Sequence, residues 1–181
     1  MRYGGVSVAL PKRNQLRLPE YDYSSPGAYF VTICTHNRRC ILSDIVVGAL
    51  HEAPVVSVRL TEFGRVVDEV IQSLPARYSH LTVDHYVIMP NHIHLLLRIE
   101  AGRALREAPL REGETRSLLS KAGGYLKMNC SRRIHENHPE VQVFQRGYYE
   151  HVIRGEKDYL EIREYVATNP ARWAEDRYSG E

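Results

Sequence analysis

Two histidines and a tyrosine carry the chemistry open to this chain. His92 and His94 stand one residue apart in the run Met89-Pro90-Asn91-His92-Ile93-His94-Leu95-Leu96-Leu97-Arg98-Ile99. A β-strand turns successive side chains to opposite faces. On a strand, His92, His94, Leu96 and Arg98 share one face, and the wholly apolar set Ile93, Leu95, Leu97 and Ile99 takes the other. The apolar face must look into a core, so the imidazoles project together from the opposite face. Two neutral imidazoles at this spacing can share one divalent ion if a third ligand arrives from elsewhere. The alternative is a pair of structural histidines, and the pair alone does not separate the two.

The tyrosine lies far downstream. Over residues 158–168, Tyr159, Ile162 and Val166 recur at helical spacing. Asn169-Pro170 follows, and proline disfavours the helical conformation of the residue before it, so the helix should end near Asn169. Glu161, Tyr165 and Asn169 fall four apart and line one side, beside the apolar stripe. A phenol there can act as a nucleophile, with the Asn169 carbonyl oxygen as a ligand or orienting group. Otherwise Tyr165 is an amphipathic tyrosine at the helix edge, anchored by its hydroxyl.

Four segments together resemble a known family. They are Tyr23-Ser24-Ser25-Pro26-Gly27-Ala28-Tyr29-Phe30-Val31-Thr32-Ile33-Cys34-Thr35, then Met89-Pro90-Asn91-His92-Ile93-His94, then Phe144-Gln145-Arg146-Gly147-Tyr148-Tyr149-Glu150-His151-Val152-Ile153-Arg154, then Arg163-Glu164-Tyr165-Val166-Ala167-Thr168-Asn169-Pro170-Ala171-Arg172-Trp173. In this order they resemble the HUH-type single-tyrosine transposases, specifically the REP-associated tyrosine transposases. The resemblance implies cleavage and rejoining of single-stranded DNA through a 5′-phosphotyrosine, with Tyr165 as nucleophile and a divalent metal on His92 and His94. Related insertion-sequence transposases carry glutamine four residues after the tyrosine. This chain has Asn169, one methylene shorter, as third metal ligand, and His151 is its rival.

A divalent ion on the histidines would act as Lewis acid and template. Mg²⁺ or Mn²⁺ suits a phosphate substrate, and Mn²⁺ tolerates imidazole better. A covalent tyrosine intermediate conserves the phosphodiester energy, so rejoining needs no ATP. Two other functions compete. A small metal-dependent nucleotide hydrolase of the histidine-triad kind would want a further alternating histidine where the chain has Leu96. A non-catalytic ferredoxin-like nucleic-acid-binding module would leave Tyr165 buried or remote from the histidines.

The elements that must position these residues follow from pattern. Strands are predicted over 28–36, 83–89, 92–99 and 148–154, and a small hairpin over 45–47 and 55–60 around Gly48 and Pro54. A helix is predicted over 62–74 with Thr61 as cap, and a second over 115–135 that Gly123-Gly124 should weaken or kink. With the tyrosine helix this order gives an α+β, ferredoxin-like (split βαβ) antiparallel sheet of the HUH endonuclease type, with helices on one face. Residues 102–114 read as loop, and residues 1–19 as a loose basic arm on a single domain spanning 1–181.

Composition fits an ordinary folded domain. Hydrophobic residues make up 43% and charged residues 25% of 181 positions, with a net charge of +2. So small a charge does not mark a nucleic-acid binder unless the cations cluster. Candidates for DNA contact are Arg38, Arg39, Lys121, Lys127, Arg132, Arg133 and Arg154, with Arg103, Arg106, Arg111, Arg116 and Arg146 as further cations. Such residues would hold the phosphates of single-stranded or hairpin DNA, and Tyr148 or Tyr149 could stack an unpaired base. Cys34, Cys40 and Cys130 are odd in number and lack CxxC spacing, as expected of reduced cytoplasmic thiols. No stretch approaches a signal peptide or a membrane span. Monomer and homodimer both remain open.

Overall fold

A computed structural model describes residues 25–50, 53–101 and 117–175. The basic arm over 1–19, the loop over 102–114 and the cations Arg103, Arg106, Arg111 and Arg116 lie outside them.

Four strands form one antiparallel sheet: β1 (Gly27–Cys34), β4 (Leu81–Ile88), β5 (His92–Ile99) and β6 (Tyr149–Ile153), in the order β4-β5-β1-β6. Between β1 and β4 lie the two-stranded ribbon β2 (Ser43–Leu50) and β3 (Ala53–Leu60) and helix α1 (Glu62–Arg77). Helix α2 (Leu118–His135) joins β5 to β6, and α3 (Glu156–Thr168) follows β6. Two strand-helix-strand units interleave, so that β4 pairs with β5 rather than with β1. That is the split βαβ, ferredoxin-like topology.

The period-2 pattern of β5 sorts the sheet as its sequence demands. Ile93, Leu95, Leu97 and Ile99 join Tyr29, Val31 and Ile33 of β1 in the core. Val67, Val70, Ile71 and Leu74 of α1 and Leu119, Ala122, Leu126, Cys130 and Ile134 of α2 close that core from above. The two helices of the split βαβ cover this face as expected. The third does not join them: α3 packs on the other face, over β4 and β5, where the histidines project.

Several boundaries differ from the pattern. Gly48 and Pro54 sit inside the ribbon, opposite Val55 and Ala49, rather than at its turn. A two-stranded ribbon has only edges, and an edge strand tolerates proline. Thr61 caps α1 by accepting from the Gly64 amide at 3.1 Å, and the helix runs past Leu74 through Pro75 to Arg77. Helix α2 is continuous across Gly123-Gly124, and Gly123 is where the Tyr148 ring seats; a Cβ there would lie 3.1 Å from it. The strand over β4 carries a bulge between Val83 and His85, which sets Asp84 apart from the ladder. No helix among the described residues is long and apolar enough to cross a membrane.

Candidate active site

Register brings the histidines to their neighbours. His94 lies opposite Thr32, and His92 opposite Cys34, on β1. The Thr32 hydroxyl is 2.9 Å from His94 Nδ1, and the Asn91 side-chain oxygen is 2.7 Å from His92 Nδ1. An amide oxygen only accepts, so His92 carries its proton on Nδ1 and presents a lone pair at Nε2. A hydroxyl both donates and accepts, so Thr32 can hold His94 in the same tautomer. The two Nε2 atoms face each other 3.0 Å apart. Two ligand atoms at right angles on an ion about 2.1 Å away would be separated by about the same distance. The donor set therefore fits a shared divalent ion.

The rings are not open to solvent as their position opposite the core would suggest. His92 is 1% and His94 4% exposed, because α3 and the 3-10 turn that follows it (Asn169–Glu175) cover that face. The Trp173 ring lies 6.1 Å from that of His92. Burial, then the neighbouring His92, then the Arg38 charge hold the His94 imidazole neutral, its pKa pushed down to about 2. Neutral imidazole is the form that ligates.

Helix α3 delivers the tyrosine. Val166 is its buried residue, and the Tyr159 hydroxyl donates to Asp84 at 2.9 Å on the bulge of β4. Arg98, at 3.0 Å, shares that carboxylate. One turn before the helix ends, the Tyr165 hydroxyl comes 3.4 Å from His94 Nε2. Phe30 meets the Tyr165 ring edge-on, with centroids 6.1 Å apart. Tyr165 nevertheless keeps 38% of its surface exposed. The phenol is braced from beneath yet open from above.

Asn169 ends α3 in helical conformation despite Pro170, and the chain winds on as a 3-10 turn. Its side chain is buried, and its Oδ1 meets no hydrogen-bond partner among the described residues. A buried carbonyl oxygen left unsatisfied one turn from Tyr165 has the chemistry of an oxygen ligand for a divalent ion. His151, the rival, shares the sheet face but hydrogen-bonds Asp158 at 3.1 Å. Among the described residues no third His, Cys, Asp or Glu joins the pair.

The cations divide. Lys121, Lys127, Arg132 and Arg133 ride on α2, which packs on the opposite face of the sheet from the histidines. Lys127 donates to the carbonyls of Gln145 and Gly147 at 2.6 and 2.9 Å, and Arg133 pairs with Glu69 of α1. The α2 cations therefore lie across the sheet from the histidines rather than beside them. Arg39 and Arg154 are exposed at opposite ends of the sheet. Among the described cations, Arg38 is the one whose charge helps to hold the His94 imidazole neutral. Tyr148 turns inward against Gly123, whereas Tyr149 stands exposed opposite Thr32. Thr32, Asn91, Phe30 and Trp173 escaped assignment from sequence, because their roles depend on strand register and on where α3 lands.

Known proteins resemble the chain over most of its length. No protein-family model matches the chain. An uncharacterized protein of Haemophilus influenzae is 32% identical over 179 residues, covering 94% of this chain and 95% of the relative. A protein of the same organism that carries the name REP-associated tyrosine transposase is 26% identical over 155 residues, covering 83% of this chain and 74% of its own. Among solved structures, a REP-associated tyrosine transposase bound to a REP hairpin superposes with a TM-score of 0.58 at 20% identity. That match covers 86% of this chain and 74% of the other.

Proposed function

We propose that this chain, which belongs to the REP-associated tyrosine transposases, works as one by cutting and rejoining single-stranded DNA through Tyr165. Its transposase role follows from membership; the chemistry is inferred from the site. The observation that carries it is the approach of the Tyr165 hydroxyl to 3.4 Å from His94 Nε2, on a phenol that substrate can still reach.

Tyr165 Oη attacks the scissile phosphorus in line, losing its proton to solvent. The bond from phosphorus to the 3′ oxygen breaks, leaving a free 3′ hydroxyl and a 5′-phosphotyrosine. Attack on that ester by a 3′ hydroxyl restores a phosphodiester and frees the phenol. His92, His94 and Asn169 would hold a divalent ion, Mg²⁺ or Mn²⁺, which supplies Lewis-acid stabilisation of phosphate charge when bound. Asn91 and Thr32 keep both rings in the ligating tautomer, and Phe30 fixes the angle at which the phenol meets the phosphate. The substrate is DNA with a hairpin and a flanking single strand, by analogy with the hairpin on the structural relative. A non-catalytic module is disfavoured because Tyr165 is neither buried nor remote from the pair.

The test is a denaturing gel of the protein incubated with a labelled hairpin oligonucleotide and Mn²⁺. A band of protein-linked DNA is expected, lost in chelator and in Tyr165→Phe. Release of a free 5′-phosphorylated strand with no linked band would point instead to a hydrolase.

A further inference from the structure

Helix α3 carries the tyrosine but is thinly embedded. Among its residues only Val166 is buried, with Asn169 just beyond its end, while Leu160 and Tyr165 are exposed. Val166 and Asn169 both lie at the C-terminal end of the helix and together act as a pivot. Its start is tied to one edge of the sheet. Only Arg154 and Gly155 separate it from β6, and Asp158 of its first turn meets His151 of that strand at 3.1 Å. From there α3 crosses to β4 at the opposite edge.

A second fastening holds it at that far edge. Val83 pairs with Leu97 and His85 with Leu96, so Asp84 is an extra residue in β4. A bulge re-aims the side chain it carries, and this one turns the Asp84 carboxylate to α3. The carboxylate accepts from the Tyr159 hydroxyl at 2.9 Å and from Arg98 Nε at 3.0 Å. The Arg98 guanidinium lies over the Tyr159 ring, 5.5 Å from its centroid, and its Nη2 is 3.4 Å from the Tyr159 hydroxyl. Side chains from β4, β5 and α3 thus close on one another. Residues 159 and 166 are seven apart, so they share one face of the helix about two turns from each other. Held at both points, the helix neither rolls nor tilts. At a side-chain radius of about 5–6 Å, a roll of about 20° would carry the Tyr165 hydroxyl about 2 Å. That is enough to break its 3.4 Å approach to His94.

We propose that Asp84 is a positioning residue for the tyrosine: through Tyr159 it locks α3 in the orientation that presents the Tyr165 hydroxyl beside His94. The inference rests on the phosphotyrosine reading. Asp84 touches no reacting atom and exchanges no proton. It holds the nucleophile in line before the scissile phosphate arrives, where a misplacement of about 1 Å can cost about 10²-fold in rate.

The test separates positioning from DNA binding, metal binding and stability. Single-turnover rates of adduct formation with a cleavable hairpin oligonucleotide are measured at saturating DNA and Mn²⁺, well below the melting transition. The samples are the unaltered protein, Asp84→Ala, Asp84→Asn, Tyr159→Phe and the double variant Asp84→Ala/Tyr159→Phe. The Kd for an uncleavable hairpin oligonucleotide, the Mn²⁺ concentration for half-maximal rate and thermal melts are measured on the same samples. Asp84→Ala and Tyr159→Phe should each slow adduct formation about 10–100-fold, with Kd and half-maximal Mn²⁺ within about threefold. The double variant should be no slower than the slower single one, because both changes remove the same link; independent losses would multiply. Asp84→Asn keeps a carbonyl oxygen for the Tyr159 hydroxyl and should recover most of the rate lost in Asp84→Ala. If Asp84→Ala fails to fold, Tyr159→Phe, which removes one oxygen, carries the test. A defect confined to Kd, to Mn²⁺ dependence or to the melts would overturn the role, as would losses that multiply or an Asp84→Asn as slow as Asp84→Ala. An unaltered protein that forms no adduct would overturn the phosphotyrosine reading and this inference with it, whereas an adduct formed at full rate in Tyr159→Phe overturns this inference alone.

Discussion

The hydroxyl of Tyr165 stands 3.4 Å from Nε2 of His94, although the two residues are 71 positions apart. Neither neighbourhood alone has much meaning. Brought together across the face of one sheet, they place a phenol beside a pair of imidazole nitrogens.

The groups that orient the pair should matter as much as the rings' own placement. Thr32→Val and Asn91→Ala are each expected to raise the Mn²⁺ concentration needed for adduct formation by about 10–100-fold. Thermal melts should change little by comparison. Unchanged metal dependence in both variants would mean that the hydrogen bonds to Nδ1 do not tune the site.

The third ligand can be assigned by a paired comparison. Asn169→Ala should raise the Mn²⁺ concentration needed by a similar factor, because its buried oxygen meets no hydrogen-bond partner among the described residues. His151→Ala should not, because His151 is engaged with Asp158. The reverse outcome in the same titration would transfer the role to His151.

Much of the scaffold was legible in residue pattern. The apolar alternation of residues 93, 95, 97 and 99 located β5, and the 3.6 spacing of Ile162 and Val166 located α3. Pattern could not say where α3 would land, because its apolar stripe is narrow and only Val166 is fully buried. That single tertiary fact buries His92 and His94, which periodicity alone left projecting into solvent. Nor could pattern say that the α2 cations lie across the sheet from the histidines, because that depends on which face α2 packs against. After β1, Asn37 and Arg38 hold left-handed backbone, and in sequence only Asn37 hints at it, since no glycine stands beside them.

The cations should sort by experiment as they do by position. Lys127→Met is expected to lower stability by about 2 kcal/mol, since two carbonyls lose a charged donor, with little change in DNA affinity. Arg39→Ala, on an exposed side chain, should weaken hairpin binding at low salt and reduce the salt slope by about 1. Equal loss of DNA affinity in both, by fluorescence anisotropy at two salt concentrations, would contradict the division.

Packing under α1 offers a check on the fold itself. A Cβ on Gly64 would lie 2.0 Å from the Leu42 carbonyl oxygen, so Gly64→Ala must push α1 off the segment that leads into β2. The loss should be about 3 kcal/mol, or roughly a 10 °C fall in Tm for a chain of this size. A melt within about 2 °C of the unaltered protein would place the helix elsewhere.

Thiol labelling tests the same packing from another side. Cys34 and Cys130 are buried, with burial pushing the Cys130 thiol up to about 12, while Cys40 is exposed. A maleimide should mark Cys40 in the native protein and the other two only after unfolding. Native labelling at Cys130 would show that α2 does not seat as described.

The most direct measurement is the identity of the residue that carries DNA. Protein reacted with a cleavable hairpin oligonucleotide is denatured, digested with nuclease and protease, and mapped by mass spectrometry. The prediction is a single nucleotidylated peptide bearing its 5′-phosphate on Tyr165, absent from Tyr165→Phe. A phosphonucleotide on Tyr149 or any other residue, or cleavage with no modified peptide, would contradict it.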